Sequence, residues 1–208
     1  MAHASFDLQK YADAEAGYNQ VLQLTTKDDK SAEAITDNLA ASIYKQGEQA
    51  AKLEDYKTAA RHFLRIAQAA PNSKIRPTAE YDAASALLKH KDWDRAVEVL
   101  QGSRKSYPAH ELQGEVTKKI AFAYREAGKL TVAAAEYERI EKESKDSEVR
   151  RGALLVAADL LVLLTDAPLV EGAVSAAVSA RIGSNLEEVD AEARGGLLAK
   201  TTHLGTDR

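Results

Sequence analysis

The sequence predicts an all-α fold, a superhelical solenoid of antiparallel helix pairs, and three observations carry that prediction. Alanine, leucine, glutamate and lysine dominate a 208-residue chain that has only four prolines, the composition of many helices stopped at few places. A block of residues recurs every 37 positions. Each recurrence sets small and large side chains where two packed helices need them.

Aligning "DYKTAARHFLRIAQAAP" with "DWDRAVEVLQGSRKSYP" pairs Tyr56 with Trp93, Ala59 with Ala96, Phe63 with Leu100 and Pro71 with Pro108, each 37 residues apart. One further step reaches Leu130, Ala133 and Tyr137, while the preceding helices align Gly47, Ala84, Ala121 and Ala158. An earlier copy places Tyr11, Ala14 and Tyr18 at the same relative positions but 45 residues before Tyr56 and its partners. Its linking segment is therefore longer, and most of its first helix is missing.

The small residues let paired helices approach, and the aromatic or large aliphatic residue four positions after the second small one fills the gap one turn along the same face. Pro71 and Pro108 stop the second helix of a pair, since proline lacks an amide donor and clashes with the preceding turn. Pro77 suits a first helical position. The expected helices span residues 6–25, 31–53, 56–70, 76–90, 93–106, 109–127, 130–144 and 147–164. The chain opens in mid-repeat, which predicts an atypical cap or a trimmed start, and "MAHAS" reads as a cloning remnant.

The small, small, aromatic and proline positions Gly47, Ala59, Phe63 and Pro71 resemble, in order, those of the tetratricopeptide repeat (TPR). The resemblance covers residues 6–164, and "SYPAHELQGEVTKKIAFAYREAGKLTVAAAEYERI" is similar to the long-repeat type found in bacterial cell-envelope assembly proteins. It implies that the first helix of each pair lines a concave, ligand-binding face. The groove residues it implies are Tyr44 and Glu48, then Tyr81, Ser85 and Leu88, then Lys118, Phe122 and Arg125, and finally Asp159.

Rigid aromatics and register-fixing charges on one surface suit a peptide or partner protein. The competing reading is that Tyr44 and Tyr81 pack between neighbouring repeats. The family's carboxylate-clamp mode requires Lys and Asn where this chain has Tyr44 and Glu48, so that mode is not expected.

Other function classes find little support. At 45% hydrophobic and 29% charged the chain can bury a core, and its formal charge of -4 argues against a nucleic-acid partner. With no cysteine, disulfide and thiolate chemistry are excluded. The longest apolar run, "ALLVAADLLVLL", is too short to span a bilayer and is broken by Asp159, so the chain as given is expected to be soluble. A cell-envelope location would require an export signal outside it.

His3, His62, His90, His110 and His203 are scattered, with no i, i+4 pair, so no metal or other cofactor is expected. Serine on a strained strand-to-helix turn and a glycine-rich phosphate loop are both missing, so no enzyme activity is expected. The adjacent Glu187 and Glu188 point apart on a helix. "RIEKESKDSEVRR" reads as an exposed helix end and turn, with Glu141 and Lys145 an i, i+4 pair.

After residue 164 the repeat fails, because Val170 and Val174 stand where a small and an aromatic residue belong. Two helices are expected, over 168–182 and 186–200, with Ser184 and Glu187 a capping box. The segment "LLTDAPLVEGAVSAAVSARIGSNLEEV" resembles the end of the phosphotransfer subunit of bacterial dihydroxyacetone kinases, a mannose-type IIA domain, at Ala167 through Gly172 and at Gly183, Leu186 and Val189. In that family the phosphorylated histidine follows the first strand. Neither His3 nor His203 matches it, so phosphotransfer is not expected, and "DLLVLL", a strand in that family, is expected to stay helical here.

Val170, Val174 and Val178 form an apolar stripe that needs a partner. Capping of the solenoid end and homodimerisation both supply one, and a disordered end needs neither. The domain division is thus a repeat array over 1–164 and an appendage over 165–208.

The reading that results is a non-catalytic interaction scaffold. A phosphotransfer component and a fused chain or structural oligomer without a physiological ligand are the alternatives.

Overall fold

A computed structural model describes residues 1–25 and 31–165. Among them are nine helices and no strand: α1 (Ala2–Asp7), α2 (Tyr11–Leu24), α3 (Ser31–Lys52), α4 (Tyr56–Ala69), α5 (Arg76–Lys89), α6 (Trp93–Ser106), α7 (Gln113–Glu126), α8 (Leu130–Glu143) and α9 (Ser147–Thr165). This is the all-α, TPR-like class that the repeat predicts. The expected helices 168–182 and 186–200, and with them the phosphotransfer resemblance, lie outside the described residues.

The period is visible in the element boundaries. Helices α2, α4, α6 and α8 each have 14 residues and begin at the aromatic or leucine position of their repeat, Tyr11, Tyr56, Trp93 and Leu130. The first interval is longer because α3 has 22 residues where α5 has 14. Eight extra residues are a little over two helical turns, and they lengthen the helix itself.

The hairpin turns also repeat. Gln9, Glu54 and Lys91 have positive φ of 59°, 60° and 62°, and Gly128 follows at 72°. At each turn the next amide reaches back five residues: Lys10 N–H donates to the Ser5 carbonyl, Asp55 to Ala50, Asp92 to Leu87 and Lys129 to Tyr124. The left-handed residue donates to a carbonyl three back, which completes a Schellman closure. The residue after it is at once the N-cap of the following helix, where its carbonyl accepts from Ala14, Ala59, Ala96 or Ala133.

This turn corrects the first expected helix. Residues 6–25 are not continuous, because Gln9 in the left-handed region ends α1 and Lys10 opens α2.

Between pairs, Ala70 and Tyr107 leave the helical region (φ −144°, ψ 69° and φ −131°, ψ 58°) immediately before Pro71 and Pro108, as the proline ring requires of its predecessor. Two successive turns follow, Ser73 N–H to Ala70 O and Arg76 N–H to Ser73 O, then again His110 to Tyr107 and Gln113 to His110. Helix α7 therefore starts at Gln113 rather than 109, at the register of Arg76. Before α9 no proline intervenes, and Asp146 caps the helix by accepting from Glu148 and Val149 N–H at 2.9 and 3.2 Å.

The chain forms two compact units, Met1–Val116 and Thr117–Arg208. In the first, consecutive helices pack from α1 to α6, and α3 also touches α5. Leu39, Ile43, Ile66 and Leu100 are fully enclosed there. Gly47 permits the closest approach: a Cβ on it would lie 2.5 Å from Phe63 Cε1.

A polar knot ties α2 to its neighbours. Arg65 grips both Glu15 oxygens at 2.6 and 2.7 Å, Gln46 donates to Glu15 at 2.6 Å, and Arg65 Nη2 lies 3.0 Å from His62 Nδ1.

In the second unit, Ala121, Ile140 and Ala153 cluster with Tyr137 and Val149, while Leu160 joins Ala133 and Ala134 beside Tyr124. Helix α9 runs through "DLLVLL" to Thr165 as expected. The pair expected between Glu141 and Lys145 does not form. Helix α8 ends at Glu143, so Lys145 is off it, and Glu141 is buried with its carboxylate 2.9 Å from Arg150 Nη2.

Candidate functional site

In the first unit, Tyr44, Glu48 and Ser85 come together as walls of a cleft of about 420 Å³ between α3, α4 and α5. Tyr44 and Glu48 lie one turn apart on α3, and Ser85 stands at the register of Glu48 one repeat on. The cleft also takes in Lys52, Tyr56, Phe63, Asp82 and Lys89, which the sequence reading did not assign to a site. Lys52 and Lys89 occupy one register 37 residues apart, a signal that could have found them. Asp82 becomes visible only when two helices are packed.

The Tyr44 hydroxyl donates to Asp82 Oδ2 across the cleft, and its ring stacks at a tilt on Phe63, centroids 5.1 Å apart. Burial, then the hydrogen bond and charge of Asp82, push the Tyr44 phenol well above its ordinary range. Glu48 accepts from Lys45 Nζ at 2.6 Å, and that bond raises the Lys45 ammonium. Lys89 Nζ sits 5.0 Å from the centre of the Tyr56 ring, a cation–π contact. The cleft thus combines the aromatic rings of Tyr44, Tyr56 and Phe63 with the amines of Lys52 and Lys89.

Two other candidates in this unit take different positions. Tyr81 is half-buried, and burial followed by the charges of Glu115 and Asp82 raises its phenol. The Ser85 hydroxyl donates to the Tyr81 carbonyl at 2.9 Å. Leu88 is only 8% exposed and belongs to the core; its register-mate Ala51 lines the cleft instead.

In the second unit Lys118, Phe122 and Arg125 follow one face of α7 at helical spacing, with Lys118 exposed and Phe122 37% exposed. The Arg125 guanidinium lies 5.3 Å from the Phe122 ring centre and 3.2 Å from Glu126. On α9, Asp159 is exposed and its neighbours at one-turn spacing, Leu155 and Val162, are exposed large apolar residues. They occupy the registers of Lys118 and Arg125, so the repeat signal could have found them too. Among the described residues no group of three or more histidines or carboxylates could hold a metal ion, and no helix is long and apolar enough to cross a membrane.

With helix pairs of this period and these closures, the protein is a TPR-like protein, a fold class of interaction scaffolds. A family model described as YfiO, an outer membrane lipoprotein, matches residues 36–117, from within α3 to the first turns of α7. Among solved structures, the chain is similar to a "MamA RS-1 ArsTM double mutant", at 16% identity and a TM-score of 0.50 over 92% of this chain and 91% of that one. At that identity the likeness is one of fold.

It is also similar to the TPR-like repeats of a kinesin light chain from Podosopora anserina (13% identity, TM-score 0.46, 92% of each chain). A TPR repeats protein from Bacteroides fragilis NCTC 9343 is similar at 19% identity and a TM-score of 0.45, over 91% of this chain and 81% of that one. No curated protein matches it.

Proposed function

We propose that the protein is a non-catalytic scaffold that docks a peptide or partner protein on the face carrying Tyr44, Glu48, Tyr81 and Ser85, and that the second unit presents Lys118, Phe122, Arg125 and Asp159 for the same purpose. The observation that carries this reading is the aromatic cleft that Tyr44, Glu48 and Ser85 share with Tyr56 and Phe63. Its size falls within the range of pockets that accept a side chain or small ligand, and its aromatic walls supply contact area at little entropic cost.

The match of residues 36–117 to a family described as an outer membrane lipoprotein favours a partner from the bacterial cell envelope. In this reading residues 1–164 are the repeat array, and 165–208 an appendage that caps it or pairs with a second copy. Light scattering of the full chain with and without residues 165–208 separates those two roles.

The docking reading is tested with peptides selected against the full chain from a random library. Peptides that lose binding at least tenfold to Ser85→Trp and Tyr44→Ala, and not to Glu98→Ala on α6, support it. Selected peptides indifferent to both cleft variants, and to Lys118→Glu with Arg125→Glu, would refute it.

A further inference from the structure

We propose that the first unit carries a second, separate site, an anion site for a phosphate-class group, where the start of α4 meets the end of α5 and the start of α6. Lys57, Thr58 and Arg61 from α4, His90 at the end of α5 and Arg95 from α6 surround a cleft of about 240 Å³ floored by Ala60 and Leu87. Among the described residues, neither Lys57, Arg61 nor Arg95 is in an ion pair. Two carboxylates are near. Asp55 is committed to the Thr58 amide at 3.0 Å while facing Arg61 and His90, and Asp92 lines the cleft itself.

Repeat packing does not require these cations. At the registers of Lys57, Arg61, His90 and Arg95, the next repeat has Asp94, Glu98, Ala127 and Val132, and the preceding one has Ala12, Ala16, Leu53 and Thr58. The buried floor is what the fold needs; the charged rim is not repeated at either neighbouring register. The three cations and the histidine outnumber the two carboxylates around this partly enclosed space, and the excess positive charge favours a bound oxyanion.

The chemistry of the rim selects the ligand. Two guanidinium groups come from different helices, a donor type suited to the oxygens of a phosphate, and a lysine and a threonine hydroxyl add a point charge and a further donor. The cleft lies below the usual volume of drug-sized pockets, which suits a phosphate or diphosphate group better than a peptide segment.

The test is calorimetric titration of the full chain with inorganic pyrophosphate at constant ionic strength, with thermal unfolding in parallel. The wild type is expected to bind saturably and to unfold at higher temperature with pyrophosphate. Arg61→Ala with Arg95→Ala should bind about tenfold more weakly or worse, since one lost charge-assisted contact costs roughly that factor.

The charge-matched control Lys74→Ala with Lys105→Ala should bind as the wild type does. No saturable binding at millimolar pyrophosphate, or equal loss in both double variants, would overturn the site. Sedimentation with vesicles containing anionic phospholipid separates the sources of the phosphate. Vesicle binding that needs Arg61 and Arg95 identifies a lipid headgroup, whereas saturable pyrophosphate binding without it identifies a free phosphate compound.

Discussion

Gly47 faces the ring of Phe63 so closely that a Cβ at position 47 would meet Cε1 at 2.5 Å and Cδ1 at 2.7 Å. The ring is only 4% exposed and Tyr44 lies against it, so a retreat would disturb the Tyr44 contact. One repeat on, the same two registers hold Ala84 and Leu100, both fully buried. A small residue facing a large one is therefore a matched pair, glycine with phenylalanine and alanine with leucine.

Gly47→Ala is accordingly expected to destabilise the protein by about 1–3 kcal/mol, the range for overpacking, despite alanine's better helix propensity. Combining it with Phe63→Leu recreates the pair of the next repeat and should recover part of the loss. Denaturant unfolding of the two single variants and the double variant measures the coupling. Additive losses would contradict the matched-pair account.

The left-handed turn residues give a second prediction. Gln9, Glu54 and Lys91 hold φ near 60° with a side chain attached, a conformation that costs an L-residue roughly 1 kcal/mol. Glu54→Gly and Lys91→Gly should each raise unfolding free energy by up to about 1 kcal/mol, while Gly128→Ala should lower it by a similar amount. Chemical denaturation checks all three, and a loss of stability in both glycine variants would count against the shared Schellman closure.

The same turns explain what the sequence could reveal. The period, the small and large pairs, and helices α3 to α6 were legible because packing imposes residue type at fixed registers, as Ala59, Ala96 and Ala133 illustrate. The break at Gln9 was hidden because only one of the four equivalent positions, Gly128, is glycine. The start of α7 at Gln113 was recoverable from Arg76 by the period, but Pro108 drew the expected boundary too early. For the candidate site, Tyr44, Glu48 and Ser85 were within reach of a register argument, whereas Asp82 depends on how α5 lies against α3.

Tyr44 and Asp82 set the response to alkali. Burial and Asp82 raise the Tyr44 phenol above the ordinary value of 10.0, and Tyr18, Tyr81 and Tyr107 are raised in the same direction, each chiefly by burial. Above about pH 10 the unfolded chain releases these protons while the folded one keeps them, so stability is full below that pH and falls as pH rises. Tyr44→Phe should make the fall shallower and remove a late-titrating phenolate from the ultraviolet spectrum. An unchanged spectrum would show that Tyr44 titrates normally.

His62 sets the response to acid through the knot that holds α2. Burial, then the charges of Arg65 and Arg61, lower the His62 imidazole from its ordinary value of 6.5. A lowered base contributes stability that is whole above the unfolded value and declines as pH falls below it, because the unfolded chain takes up the proton first. The neutral ring keeps Nδ1 beside Arg65 Nη2 at 3.0 Å, and Arg65 in turn holds Glu15 of α2.

Protonating His62 sets a cation against Arg65 and should loosen α2 before the rest of the unit opens. Hydrogen exchange of α2 amides is therefore expected to quicken as pH drops from about 6.5 toward 5, after correction for the intrinsic rate, and faster than in α5. His62→Gln, which is uncharged at every pH, should abolish that difference, and its persistence in the variant would show that the histidine does not set the acid response.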